Sequence, residues 1–271
     1  MDEYDLFFEE DLKSVGDITS DALFTDEQAT AFIISKSNGI VAGLYEAEQI
    51  FKKVSVNIKL LKNDGDKVLI GEKIAQIKGS VKSILKAERL SLNFICRMSG
   101  IATETRKIVE MCHRINPDVE IAATRKTTPG FRKYEKKAVI IGGGISHRYG
   151  LYDEVLIKDN HIKIVGNLTD TIKRIKHKNI EKQIEVEVEN IEDAIAAANL
   201  GVDIIMLDNF RPNEVEKVYK NIKNINKEIL VEISGGIKPD NIIKYARFSD
   251  RISLGYLTHS VKNMDFSLEI S

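Results

Sequence analysis

The part of the chain after about residue 103 alternates short apolar runs with helical patterns. Six apolar runs predict strands, and the segments between them carry the apolar spacing that is typical of helices. The predicted strands are Val119–Thr124, Asp153–Lys158, Ile184–Glu189, Asp203–Asp208, Glu228–Ile233 and Arg251–Gly255. Repeated strand–helix units predict a parallel sheet. No Gly-x-Gly-x-x-Gly segment follows the first strand, so an α/β barrel fits better than a dinucleotide-binding fold.

The first hundred residues predict a mixture of helix and strand. Thr25 is placed to cap a helix over 26–31, and the alternation from Val54 to Leu60 predicts a half-buried strand. A further helix begins near Ser80 and is expected to stop at Gly100. Its apolar stripe is Val81, Leu85, Leu92 and Cys96. Arg89 falls on the same stripe, where an arginine needs an anionic partner, either in a structural ion pair or in a ligand.

Composition excludes several classes of protein. The 271 residues carry a formal net charge of −1, whereas a general nucleic-acid binder needs an excess of basic residues. The two cysteines form no Cys-x-x-Cys pair, which favours a reduced, cytoplasmic protein. The acidic start lacks the basic residues of a secretory signal, and no apolar run reaches the roughly 20 residues of a membrane-spanning helix. We therefore expect a cytoplasmic protein that binds neither nucleic acid nor membrane.

Several predicted strands end in polar residues. The endings are Thr124-Arg125-Lys126, Lys158-Asp159-Asn160-His161, Asp208-Asn209, Ser234-Gly235-Gly236 and Gly255-Tyr256. One such ending is common in any α/β protein. Five of them indicate a site assembled from the carboxyl ends of several strands, which is where α/β barrels carry their chemistry.

The third predicted strand carries three glutamates on one face. Glu185, Glu187 and Glu189 alternate with apolar residues, and strand side chains alternate between faces. An exposed edge strand would explain the pattern. However, this strand lies in the middle of the strand–helix series, where helices cover the sheet. We therefore expect the glutamates to point into a polar barrel mouth that holds a metal or basic side chains.

Basic residues cluster around the first two strand ends. Arg125 and Lys126 lie at a strand end, and His147-Arg148 follows the triple glycine 142–144. Lys133, Lys136 and Lys137 are instead expected on a solvated helix face. The glycines near Ser234 and Gly255 predict a phosphate site, because small residues let backbone N–H groups approach an anion. Plain tight turns are the alternative there.

The ordered series of motifs resembles the quinolinate phosphoribosyltransferase family along nearly the whole chain. The segments that carry the resemblance are Glu88–Asn93, Ser99–Thr103, Thr124–Arg132, Gly142–Leu151, Leu156–His161, Glu185–Glu189, Met206–Asn209, Glu232–Ile237 and Leu254–His259. The resemblance implies an N-terminal α/β sandwich over 1–102, with the segment 262–271 packed on it. It also implies an open α/β barrel of fewer than eight strands over 103–261, and a homodimer whose active sites are shared across the interface.

The resemblance further implies an enzyme that joins quinolinate to phosphoribosyl pyrophosphate in NAD biosynthesis. The products are nicotinate mononucleotide, CO2 and pyrophosphate, and Mg2+ is the cofactor. The implied substrate-binding residues are Arg89 (in the partner's site), Thr124, Arg125, Lys126, His147, Arg148, Lys158, Glu187 and Asp208, with Lys126, Lys158, Glu187 and Asp208 catalytic. Glu187 and Asp208 would also hold the metal, partly through substrate or water. The implied phosphate-binding residues are Ser234, Gly235, Gly236, Gly255 and Tyr256.

Two other functions remain open on the sequence. One is a sibling phosphoribosyltransferase acting on nicotinate or another aromatic acid. The segment Lys158–His161 favours quinolinate over these, because a second carboxylate needs additional positive charge. The other is a non-catalytic sugar-phosphate sensor on the same fold, which we would expect to lack part of the acidic or basic set.

Overall fold

The computed structural model describes residues 3–271. In chain order the strands are β1 (Gln28–Ser35), β2 (Gly39–Ile40), β3 (Asn57–Leu60), β4 (Lys67–Val68), β5 (Lys73–Ser80), β6 (Glu120–Ala123), β7 (Val155–Ile157), β8 (Ile184–Val188), β9 (Ile204–Asp208), β10 (Leu230–Ser234), β11 (Arg251–Leu254) and β12 (Phe266–Ile270). The α-helices are α1 (Glu3–Leu12), α2 (Ile18–Leu23), α3 (Leu44–Lys53), α4 (Val81–His113), α5 (Arg132–Ile141), α6 (Asp159–Val165), α7 (Leu168–Lys176), α8 (Ile191–Asn199), α9 (Pro212–Ile225) and α10 (Tyr256–His259). Within this range no helix is both long and apolar enough to cross a membrane.

The chain forms two compact units. The first contains residues 1–106, 133–142 and 261–271, and the second contains 107–132 and 143–260. The expected barrel domain, 103–261, thus contributes most of one of its helices, α5, to the first unit. The last strand, β12, also lies in the first unit and pairs antiparallel with β1.

The first unit is built on a four-stranded sheet in the order β12-β1-β5-β3, with antiparallel pairing throughout. The predicted helix over 26–31 is wrong, because β1 begins at Gln28. Ala31, Ile33 and Ser35 alternate into the core of this unit, and the ladder with β5 satisfies the backbone on one side. A two-residue burial period therefore outweighs the local capping signal of Thr25.

The long helix α4 does not stop at Gly100 but continues to His113. A Cβ atom built on Gly100 would lie 2.3 Å from the carbonyl oxygen of Lys262. This glycine therefore permits a close backbone approach rather than ending the helix. Of the expected apolar stripe, Val81 and Leu92 are buried and Leu85 and Cys96 are half-buried, and the buried face of α4 also includes Ile84, Ala87 and Ser91.

Helix α5 packs into the first unit. The Tyr134 ring lies edge-on to Phe94, with 4.7 Å between ring centroids. Lys136 is fully buried, so the expectation that it lies on a solvated helix face is wrong. Lys137 forms an ion pair with the buried Glu46, with 2.7 Å between Nζ and Oε1. Lys133 is exposed, as expected, and Lys137 is half-buried, so the packing of α5 removes only Lys136 fully from water.

The second unit is built on a six-stranded parallel sheet in the order β6-β11-β10-β9-β8-β7. All six strands predicted from the sequence are present, each within about two residues of its predicted bounds. The predicted fold class, an open α/β barrel of fewer than eight strands with an N-terminal α/β domain, is confirmed. The segment between β10 and β11, where the alternation of strands and helices would place a helix, contains two 3-10 turns, Ile242–Lys244 and Ala246–Phe248. Local bonds of Asn241 to the backbone of Gly236 and Lys238 compete there with regular helix.

Candidate active site

A cavity of about 430 Å³ opens at the carboxyl ends of the parallel strands in the second unit. Its lining residues are Ala123, Thr124, Arg125, Lys126, His147, Arg148, Leu156, Lys158, Glu187, Met206, Asp208, Glu232, Ser234, Gly235 and Ser253. Most of the residues predicted from strand ends therefore meet in one place. Gly236, Gly255 and Tyr256 lie next to this set in the chain but do not line the cavity.

The segment after β6 places Lys126 at the cavity. The hydroxyl of Thr124 accepts a hydrogen bond from the backbone N–H of Lys126 (3.1 Å), and the hydroxyl of Thr258 donates one to its carbonyl (2.8 Å). A Cβ atom on Gly255 would lie 2.8 Å from Cδ of Lys126. Gly255 therefore contributes to the site by leaving space for a lysine side chain.

Arg125 and Arg148 supply positive charge in the cavity wall. Arg148 is 8% exposed, and Nε of Arg125 is buried without a hydrogen-bond partner among residues 3–271. Burial lowers the pKa of Arg148, and the nearby charge of Arg125 lowers it further. Two guanidinium groups held close together and desolvated favour an anionic ligand between them.

Lys158 lies at the first turn of α6, after β7. The Nδ1 atom of His161 accepts a hydrogen bond from the backbone N–H of Lys158 at 2.9 Å. The ammonium group of Lys158 forms an ion pair with Glu187 on the neighbouring strand β8. The segment that the sequence singled out therefore turns this lysine toward the acidic side of the cavity.

Glu187 and Asp208 lie on the adjacent strands β8 and β9, and both line the cavity. Burial raises the pKa of Asp208, and the charge of Glu187 acts in the same direction. The amide of Asn209 donates a hydrogen bond to Oδ2 of Asp208 (2.6 Å). Carboxylate oxygens are the ligands that hard divalent cations such as Mg2+ prefer, so Glu187 and Asp208 are the carboxylates of the cavity wall that fit such an ion, with Glu187 also paired to Lys158.

Backbone groups approach the cavity where β10 ends. Gly235 has a φ of +82°, and a Cβ atom there would lie 2.4 Å from Oδ1 of Asn209 and 2.7 Å from its backbone nitrogen. Glycine is therefore required at this position. The tight turn after Ser234 brings main-chain atoms to the cavity surface, an arrangement suited to an anion.

A group of buried ionisable side chains that includes His147 lies at the cavity. Nε2 of His147 lies 3.2 Å from Glu232 and 3.4 Å from Glu185, and both carboxylates are fully buried. Burial alone lowers the pKa of His147, but the two glutamates outweigh it and raise the pKa to about 10. Sequence reasoning missed Glu232. Its signal is a lone glutamate between apolar residues on β10, and the parallel register places it beside Met206, another cavity residue.

Arg89 lies in the first unit, on α4. Its side chain is exposed, so the expectation that it lies on a buried apolar stripe is wrong. It forms no ion pair with any residue between 3 and 271. The alternative of a structural ion pair is thereby excluded within the described chain, while the role in a partner's site stays a prediction.

Models of two protein domains match the chain. The N-terminal domain of quinolinate phosphoribosyl transferase matches residues 17–99, and its C-terminal domain matches residues 101–269. The chain is 44% identical to a probable carboxylating nicotinate-nucleotide pyrophosphorylase of Methanothermobacter thermautotrophicus, over 94% of this chain and 93% of that protein. It is 37% identical to a mitochondrial decarboxylating quinolinate phosphoribosyltransferase of Nicotiana tabacum, over 98% and 80%. The crystal structure of NadC from Streptococcus pyogenes superposes with a TM-score of 0.92 at 36% identity, over 98% and 94% of the two chains.

Proposed function

Because the chain belongs to the quinolinate phosphoribosyltransferase family, we propose that it transfers the phosphoribosyl group of phosphoribosyl pyrophosphate to quinolinate with loss of CO2. The products are nicotinate mononucleotide, pyrophosphate and CO2, and the reaction serves NAD biosynthesis. The observation that carries the proposal is the cavity, in which basic residues, two carboxylates and a glycine turn meet at the ends of parallel strands.

The basic wall binds the pyridine dicarboxylate. Arg125, Arg148, His147 and Lys158 line one cavity, and the two arginines, which form no ion pair within residues 3–271, offer one guanidinium for each carboxylate of quinolinate. Guanidinium groups pair with carboxylates through two parallel hydrogen bonds, which fixes the orientation of the ring. The basic wall therefore holds the ring nitrogen toward the anomeric carbon of the second substrate, and this positioning accounts for part of the rate.

The acidic side binds the sugar. Glu187 and Asp208 accept hydrogen bonds from the ribose hydroxyls and would hold Mg2+, which when bound offsets negative charge on the departing pyrophosphate. Their negative charge also stabilises the positive charge that develops at the sugar when the leaving group departs. Lys126 lies close to this side and supplies positive charge toward the phosphates. Ser234, Gly235 and Gly236 bind phosphate, and Gly255 with Tyr256 shape the neighbouring segment.

Loss of CO2 needs no nucleophile from the protein. Once the ring nitrogen is bonded to the sugar it is quaternary and positive, so it stabilises the electron pair left on C2 when the 2-carboxylate departs as CO2. That carbon then takes a proton from water, which gives nicotinate mononucleotide. The desolvated Arg148 and its neighbours hold the substrate in place during this step. The protein thus contributes orientation and electrostatics.

The active unit is a homodimer in which Arg89 of one subunit reaches the site of its partner. An exposed arginine without an ion pair among residues 3–271 supports this proposal. The two cysteines, which are free, support a cytoplasmic location.

The experiment is an assay of the purified protein with phosphoribosyl pyrophosphate, Mg2+ and quinolinate that carries a labelled 2-carboxylate. We expect labelled CO2, pyrophosphate and nicotinate mononucleotide in equal amounts, and none of them when phosphoribosyl pyrophosphate is omitted. Mononucleotide formation without labelled CO2, or no turnover of quinolinate, would contradict the proposal.

A further inference from the structure

The cavity contains buried acids to which the proposed reaction gives no direct task. Glu232 and Glu185 are fully buried, and Glu232 lines a cavity that is proposed to bind a dianion. A buried carboxylate is strongly unfavourable unless a basic partner and hydrogen bonds compensate for its lost hydration. The partner of Glu232 therefore indicates what this carboxylate does.

Glu232 faces two basic side chains. Its Oε2 atom lies 3.2 Å from Nε2 of His147 and 3.4 Å from Nη1 of Arg251. Arg251 is itself fixed, because its Nε donates a hydrogen bond to Glu120 at 2.9 Å. These contacts form a continuous series of charged groups that runs from the start of β6 to the cavity: Glu120, Arg251, Glu232 and His147.

The hydrogen of the His147 ring points at Glu232. The backbone N–H of Arg148 lies 2.6 Å from Nδ1 of His147, which accepts it in the neutral ring, and the hydrogen of the neutral ring is then on Nε2, the atom that faces Glu232 and Glu185. The protonated ring also carries a hydrogen on Nε2, and its Nδ1–H faces Oε2 of Glu154 at 3.3 Å. Glu232 therefore faces an N–H group in either protonation state.

Glu232 is better suited to this task than Glu185. The pKa of Glu232 is lowered, because His147 and Arg251 outweigh the effect of burial, whereas burial raises the pKa of Glu185. Neither oxygen of Glu185 has a hydrogen-bond partner among residues 3–271, and Oε1 of Glu232 has none either, but Oε2 of Glu232 accepts a hydrogen bond from Nη1 of Arg251. The charged and fixed carboxylate is that of Glu232.

We propose that Glu232 is a positioning residue for quinolinate: its carboxylate, fixed by Arg251, faces the Nε2–H of His147 and keeps that ring turned to the substrate's carboxylate. This inference rests on the proposed function. Glu232 acts through His147 and does not touch the substrate. Its loss should therefore weaken quinolinate binding and leave the binding of phosphoribosyl pyrophosphate nearly unchanged.

The test is a double-mutant cycle of Glu232→Gln and His147→Ala, read as separate KM values for the two substrates. Glu232→Gln keeps the size of the side chain and removes its charge. We expect it to raise the KM for quinolinate on the order of tenfold, since a hydrogen bond to a charged group is lost. In the His147→Ala background the same change should alter that KM by less than about twofold, because the group through which Glu232 acts is gone.

Glu46→Gln is the matched control. Glu46 is 2% exposed and ion-paired with Lys137, and it lies in the first unit. It should lower the Tm without changing the KM for quinolinate. If Glu232→Gln does not fold, Glu232→Asp takes its place, because it keeps the charge but withdraws it by one methylene group.

The assay distinguishes failure of the proposed function from failure of the role proposed for Glu232. A wild-type protein that does not turn over quinolinate overturns the proposed function itself. With an active wild type, the role of Glu232 is overturned by an unchanged KM for quinolinate, by an equal rise in both KM values, or by the same rise in the His147→Ala background.

Discussion

Buried charges are arranged differently in the two units of the chain. In the first unit buried carboxylates lie in separate ion pairs: Glu135 contacts Arg97 at 2.8 Å, and Glu46 contacts Lys137 at 2.7 Å. In the second unit the buried carboxylates share their bases, because Glu185 and Glu232 both lie close to the ring of His147 and Glu232 also contacts Arg251. Breaking a separate buried pair costs stability, whereas a cluster of interacting ionisable groups beside a cavity is typical of a functional site. We therefore expect the second unit to carry the chemistry.

The largest effect should come from removing an acid in the second unit. Asp208→Ala removes a carboxylate that lines the cavity and is proposed to bind the sugar and Mg2+. We expect kcat/KM to fall by roughly 10²- to 10³-fold, the typical loss when one preorganised electrostatic contact is removed. Steady-state kinetics at saturating Mg2+ measures it, with the Tm as a control for folding. Near wild-type turnover would contradict the role given to Asp208.

Breaking a matched pair in the first unit should affect stability instead. Arg97→Met leaves the fully buried Glu135 without the guanidinium that contacts it through Nε and Nη2. We expect a loss of about 3 kcal/mol in the free energy of unfolding, the usual cost of removing one member of a buried ion pair. Urea denaturation measures it. Arg97→Lys, which keeps the charge, should lose less, and equal losses in both variants would show that the ion pair is not the cause.

The second unit was largely predictable from the sequence, and the first was not. Parallel strands covered by helices appear as continuous apolar runs with polar ends, so β6 to β11 and most of the cavity residues could be located. In the antiparallel sheet of the first unit, the capping signal at Thr25 concealed β1. Gly100 looked like a helix end because the approach of Lys262, far along the chain, is invisible in local sequence.

The site itself was predictable where motifs sit at strand ends. Of the three glutamates on β8, Glu187, to which the resemblance gives a role, lines the cavity, whereas Glu189 is exposed. Glu232 was not predicted, because its partners His147 and Arg251 lie on other segments of the chain and come close to it only in the fold. The exposure of Arg89 was missed because a stripe of period 3.6 can be drawn through more than one set of residues on a long helix.

The proposed sharing of the active site between two subunits predicts a smaller effect, a partial recovery of activity in mixed dimers. Arg89→Ala and Asp208→Ala should each be inactive as homodimers. After subunit exchange, one site of each mixed dimer carries both native residues, so activity should recover to about a quarter of wild type for random pairing. Exchange is verified independently with two affinity tags. No recovery after verified exchange would mean that Arg89 serves its own subunit.

The most direct measurement of the central claim compares quinolinate with nicotinate as substrates of the same purified protein. Arg125 and Arg148 line the cavity and, unlike His147 and Lys158, form no ion pair within residues 3–271, so a substrate with a single carboxylate would leave one guanidinium desolvated and uncompensated. We predict that kcat/KM for quinolinate exceeds that for nicotinate by on the order of 10³ or more, because a site built to pair polar groups rejects an analogue that lacks them. Comparable turnover of the two acids would contradict the account and favour a sibling phosphoribosyltransferase.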